Sequence, residues 1–97
     1  MIYFVLDRAG NAVKIGYTRD TDSLISRIGD LQVGNPRRLE LLFTIPGGRA
    51  GEKFLHKMLR SSRLCGEWFE CTTEVVDIIY KIKEGAEEFD PDNDLIA

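Results

Sequence analysis

Tyr3 and Lys14 lie in two short apolar runs, residues 2–6 and 12–17, whose alternation reads as a pair of strands. If Leu6 pairs with Asn11 across a four-residue loop, Val5 falls opposite Ala12 and Tyr3 opposite Lys14. A phenol beside an ammonium is a proton-transfer pair: tyrosine titrates at about 10, and a neighbouring cation stabilises its phenolate. Arg27 falls in the 24/27/28/31 row of a helix, on or beside its apolar stripe. It reads in two ways, as a stem along the core edge with its head in water, or as a planar fork held for a phosphate. Glu52 and His56 are one helical turn apart and share a face. They are either a surface pair or part of a metal site, and the second histidine of a zinc-protease motif is missing. One carboxylate is nevertheless enough for Mg²⁺, which keeps several waters and accepts phosphate oxygens as further ligands.

The elements that must position these groups follow from the pattern. Asp7-Arg8-Ala9-Gly10-Asn11 joins the first two strands with residues suited to turns. Ile2, Phe4, Leu6, Val13 and Ile15 share one face as core, while Tyr3, Val5, Ala12, Lys14 and Gly16 share the other. Asp20-Thr21-Asp22 supplies N-cap chemistry for a helix over residues 22–33, with Leu24, Ile25, Ile28 and Leu31 as its buried stripe. Gly34-Asn35-Pro36 ends that helix. Residues 39–45 read as a third strand. A second helix over 49–63 packs through Phe54, Leu55, Met58 and Leu59. Glu67-Trp68-Phe69-Glu70 is extended, and a third helix runs from Thr73 to about Lys83. Trp68 and Phe69 read as packing for that helix, with a base-stacking platform as the alternative. The order predicts an α+β fold, a three-stranded antiparallel sheet flanked by helices. Residues 1–85 form the domain, and 86–97 are expected to be a flexible acidic tail.

Composition narrows the function classes. Ninety-seven residues allow one core, and 30% charged with 43% hydrophobic residues excludes a wholly disordered chain. No apolar run reaches 18 residues and no basic segment precedes the first apolar stretch, so neither a membrane span nor a signal peptide is expected. Cys65 and Cys71 are too few for a disulfide scaffold; both read as small buried hydrophobes in a reduced, cytoplasmic setting. The net charge of -3 is unevenly spread: residues 1–72 carry eleven Lys/Arg against eight Asp/Glu, residues 73–97 two against eight. A polyanionic partner therefore belongs with the first part.

Taken in order, Tyr3, Lys14-Ile15-Gly16-Tyr17-Thr18, Arg27, Leu31-Gln32, Gly34-Asn35-Pro36, Glu52-x2-Leu55-His56 and Gly66-Glu67-Trp68-Phe69 resemble the GIY-YIG nuclease superfamily. The resemblance is closest to its T5orf172 or Mug113-like branch and covers residues 1 to about 70. It implies an endonuclease that cuts DNA with Mg²⁺ or Mn²⁺. Carried over by position, Tyr3 matches the tyrosine of the first motif, without the preceding glycine. Lys14 replaces the tyrosine of the second motif, and Leu31 stands where the family has a polar residue. The resemblance makes Arg27 the phosphate contact and Glu52 the metal ligand, with His56 and Asn35 at positions typical of the branch. Together with the cross-strand pair it suggests Tyr3 as general base assisted by Lys14, with Asn35, Arg37 and Arg38 on DNA and Tyr17 either on DNA or simply packing. The alternative is a module of a phage or mobile element that binds DNA or protein without cutting.

Overall fold

The computed structural model describes residues 1–88. Five strands and three helices make an α+β fold. The strands are β1 (Ile2–Asp7), β2 (Ala12–Tyr17), β3 (Leu39–Ile45), β4 (Arg63–Cys65) and β5 (Trp68–Glu70). They form one antiparallel sheet in the order β3-β1-β2-β5-β4, two strands more than the sequence pattern predicts. The helices are α1 (Thr21–Val33), α2 (Arg49–Met58) and α3 (Thr73–Glu88). Among the described residues no helix is long and apolar enough to cross a membrane.

The two additional strands belong to one hairpin. Gly66, at φ +54, makes its tight turn, and Cys65 pairs with Trp68. The extended stretch expected at residues 67–70 forms β5, whereas β4, only three residues long, carries too little alternation to be recognised. The apolar pattern of α2 also suggests a longer helix than forms. It ends at Met58, and a 3-10 turn at Arg60–Ser62 replaces its expected last turn. Ser62 then shares a 2.9 Å hydroxyl–hydroxyl hydrogen bond with Thr72, and Thr72 Oγ1 accepts from Val75 N at the start of α3. At its other end α3 runs three residues past the expected boundary at 85. Of the expected tail, residues 86–97, the first three are thus helical and the rest lie outside the described residues.

The β1–β2 register departs from expectation by two residues. Asp7 pairs with Ala12, so Tyr3 faces Gly16 and Lys14 faces Val5. Asn11 has φ 52 and closes the turn rather than opening β2, while the Asp7 carboxylate accepts the Gly10 N–H at 3.0 Å. A slip of two preserves every face and changes every partner.

Each sheet face has its own core. Ile2, Phe4, Val13, Ile15 and Phe69 pack under Leu55 of α2, Leu59 just after it and Val75 of α3. On the opposite face Tyr3, Val5 and Leu39 pack under Leu24 of α1, flanked by Ile28, Leu31 and Trp68. Several residues expected inside are exposed: Ile25, Phe54 and Met58, together with Cys65, while Cys71 is half-buried. In Phe54-Leu55 and Met58-Leu59 the neighbours lie about 100° apart on the helix, and only the second of each pair reaches the sheet. Burial raises the pKa of the Cys71 thiol, with Glu70 adding to the rise, which leaves it a poor nucleophile at neutral pH.

Candidate active site

Tyr3 is fully buried on the α1 face, in a strand bonded on both sides. Its phenol lies across Gly16, where a Cβ would overlap both the ring and the hydroxyl oxygen. The glycine of Lys14-Ile15-Gly16 is thus the space in which the tyrosine ring sits. The Tyr3 hydroxyl is buried and makes no hydrogen bond among the described residues. Such a group is uncommon in a folded protein and costly to keep.

Charges around this hydroxyl come from three elements. Burial is the main cause of a raised Tyr3 pKa, followed by the negative charge of Glu67 in the β4–β5 turn. Arg27 of α1 acts the other way, and Glu52 of α2 adds a smaller upward push. Arg27 stands close enough to favour the phenolate, although none of its nitrogens meets the hydroxyl in hydrogen-bonding geometry. The expected Lys14–Tyr3 pair does not form. Lys14 Nζ is ion-paired to Glu67 Oε2 at 2.9 Å and lies 5.9 Å from the Trp68 ring centroid.

Local structure explains these placements. Asp20 caps α1 by accepting the Ser23 N–H at 2.8 Å, a bond that also holds its pKa below the usual aspartate value. This fixes the start of the helix that carries Arg27. Gly47, at φ +148, turns the chain from β3 into α2, against the Ile2 side chain. Glu52 then falls in the first turn of α2, where the helix dipole favours a carboxylate. His56, one turn on, is half-buried, and its Nε2 donates to the Ile15 carbonyl at 2.7 Å while the ring tilts against Phe69. The Ile15 N–H in turn donates to the Glu67 carbonyl at 3.0 Å. His56 and Glu67 therefore grip the residue between Lys14 and Gly16.

A concavity of about 290 Å³ opens beside this group, lined by Tyr17, Thr18, Arg19, Ser23, Arg27 and Arg49. Arg49 lies 5.2 Å from the Tyr17 ring centroid, as a cation over an aromatic face. Three guanidinium groups around a hollow suit an anionic backbone. Asn35, Arg37 and Arg38 are elsewhere. Asn35 and Arg37 border a second hollow with Asp7 and Trp68, beyond the other end of α1. Arg37 is bound there to the buried Asp7 carboxylate at 2.7 Å, and Asn35 Oδ1 accepts the Arg37 N–H. Arg38 borders a third hollow beside Glu40. The structure thus gathers Tyr3, Tyr17, Arg27 and Glu52 at one end, with Lys14 and His56 adjoining. It separates the other three.

A T5orf172 domain family model matches residues 1–83. The chain belongs to the T5orf172 domain family. Comparison with curated proteins and with solved structures gives no match. Sequence reasoning missed three charged members of this T5orf172 domain's site, namely Glu67, Arg49 and Arg19. For Glu67 a signal was present, since a Gly-X pair ahead of an apolar run is the turn of a hairpin. Arg49 and Arg19 converge only through the fold, from the start of α2 and the loop after β2.

Proposed function

We propose that this T5orf172 domain is a divalent-metal-dependent DNA endonuclease of the GIY-YIG type, working at the hollow lined by Tyr17, Arg19, Arg27 and Arg49, with Tyr3 and Glu52 beside it. The reading is carried by the buried Tyr3 hydroxyl, which lacks a hydrogen-bond partner among the described residues and is acted on by Arg27 and Glu52. Arg27 binds the scissile phosphate and stabilises the charge that develops on it. Arg19 and Arg49 hold flanking phosphates, with Tyr17 under Arg49. Tyr3 Oη orients the attacking water and, as phenolate, accepts its proton, a form that Arg27 favours against the larger opposing effects of burial and Glu67. Lys14 does not stabilise that phenolate, because it faces Val5 and is bound to Glu67.

No group of three or more His, Cys, Asp or Glu side chains suited to a metal occurs among the described residues. A lone carboxylate fits a hard, mostly hydrated ion such as Mg²⁺ or Mn²⁺ and does not fit zinc. Glu52 would hold that ion, which would polarise the phosphate and stabilise the leaving oxygen.

The raised Tyr3 pKa and the pairing of Lys14 with Glu67 specifically favour a second reading, a module that binds DNA without cutting it. Supercoiled plasmid incubated with Mg²⁺, Mn²⁺ or EDTA separates the two. Nicking that requires the metal and is lost in Arg27→Ala is expected. Retarded but intact plasmid under all three conditions selects the binding module.

A further inference from the structure

The Lys14–Glu67 pair is the charged contact of this face that the proposed chemistry leaves unused. Lys14 is a cation among residues that would meet a phosphate, yet its side chain is only 12% exposed and its ammonium is already paired. The arrangement is built in from three sides. The Glu67 main chain is tied to β2 through the Ile15 N–H, 3.0 Å from its carbonyl oxygen. Glu67 also stands in the two-residue turn that Gly66 forms at positive φ, so its backbone is fixed on both sides. Trp68, the cross-strand neighbour of Lys14, walls the ammonium on its other flank. Among the described residues, the Glu67 oxygen that meets Lys14 accepts no well-aligned hydrogen bond, so the contact rests on charge.

We propose that Glu67 is a positioning residue that tethers Lys14 in the unliganded domain, so that Lys14 acts on a phosphate only when the tether is released. This rests on reading the face as a DNA-phosphate surface. A paired lysine contributes no net charge to a polyanion, whereas an unpaired one adds about one counterion to those released on binding. Glu67 therefore decides whether the face presents three cations or four.

A double-mutant cycle without divalent metal tests this, using a short labelled duplex across a salt series in EDTA. In the wild-type background, Lys14→Met should leave the slope of log affinity against log salt unchanged. Glu67→Gln should tighten low-salt binding and steepen the slope by about one. Adding Lys14→Met to Glu67→Gln should remove that gain. Equal effects of Lys14→Met in both backgrounds, or no steepening in Glu67→Gln, overturn the proposal. A second readout needs no DNA: acylation of Lys14, followed by mass spectrometry against the other lysines, should be slow in wild type and faster in Glu67→Gln. If Glu67→Gln fails to fold, Glu67→Asp, which keeps the charge on a shorter stem, should show an intermediate acylation rate. Unchanged Lys14 acylation in these variants also overturns the tether. Absence of DNA binding in every variant, with acylation still accelerated, would overturn the nuclease reading and leave the tether standing.

Discussion

Replacing Tyr3 by phenylalanine separates what the tyrosine does for the fold from what it does for the site. The ring is fully buried, so its packing contacts pass to phenylalanine unchanged, and only the hydroxyl is lost. That oxygen is buried without a partner and pressed against Gly16. A buried polar group left unsatisfied costs about 1–3 kcal/mol, and removing it without leaving a stranded partner relieves that cost. We take the lower end, because Arg27 partly compensates the hydroxyl electrostatically. The variant should therefore be more stable by about 1 kcal/mol, a rise in Tm of about 4–8 °C for a domain of this size. Plasmid nicking should fall by about 10²–10⁴-fold, the usual contribution of a positioned acid–base group. Urea and thermal denaturation without metal, alongside the nicking assay, measure both quantities on one preparation. A variant destabilised by more than about 1 kcal/mol would show that the hydroxyl is well bonded in solution, which would refute the reasoning.

Four further outcomes are expected. The Tyr3 pKa is higher in the folded state than its ordinary 10.0, so its contribution to stability is complete below about pH 10 and disappears as the pH rises through the folded value; urea midpoints above pH 10 should fall more steeply for wild type than for Tyr3→Phe. Gly16→Ala pushes a methyl into the Tyr3 ring and should cost about 1–3 kcal/mol, read from the urea midpoint, with nicking reduced in parallel. Glu52→Gln should abolish metal-dependent nicking while leaving the melting curve and DNA retardation close to wild type; equal activity with Mg²⁺ would remove Glu52 from the site. Arg37→Met deprives the buried Asp7 of its ion partner and should cost about 1–2 kcal/mol, less than for a fully buried pair because Arg37 is half exposed. Nicking by that variant below its melting temperature should match wild type.

The sequence was legible where the periodicity was long. The first two strands, the cap at Asp20, the third strand and the starts of α2 and α3 all follow from runs of six or more residues with distinct ends. The face assignment of Tyr3, Lys14 and Gly16 was also readable, since it depends only on parity. Their partners were not, because register depends on whether Asn11 ends the turn or begins the strand, and that is decided by one backbone angle. The Gly66-Glu67 turn could be read, but not that its carboxylate folds back onto Lys14, because that contact depends on how the β4–β5 hairpin pairs with β2. The engagement of Arg37 by Asp7 was invisible for a different reason: the two are thirty positions apart, and nothing local marks Asp7 as buried.

Unequal attachment of the parts around Tyr3 has a consequence for motion. β1 is hydrogen-bonded along both edges, so amide exchange at Tyr3, Phe4 and Val5 should require opening of the whole sheet. Helix α1 buries a single side chain completely, Leu24, with Ile28 and Leu31 only partly covered. Its amides should exchange through smaller, more frequent openings that leave the sheet intact. The phenol thus stands on a fixed floor while the Arg27 guanidinium rides on a loosely held helix. The distance between them is the soft coordinate of the site, and an anion bridging the two would slow exchange in α1 and leave β1 unaffected.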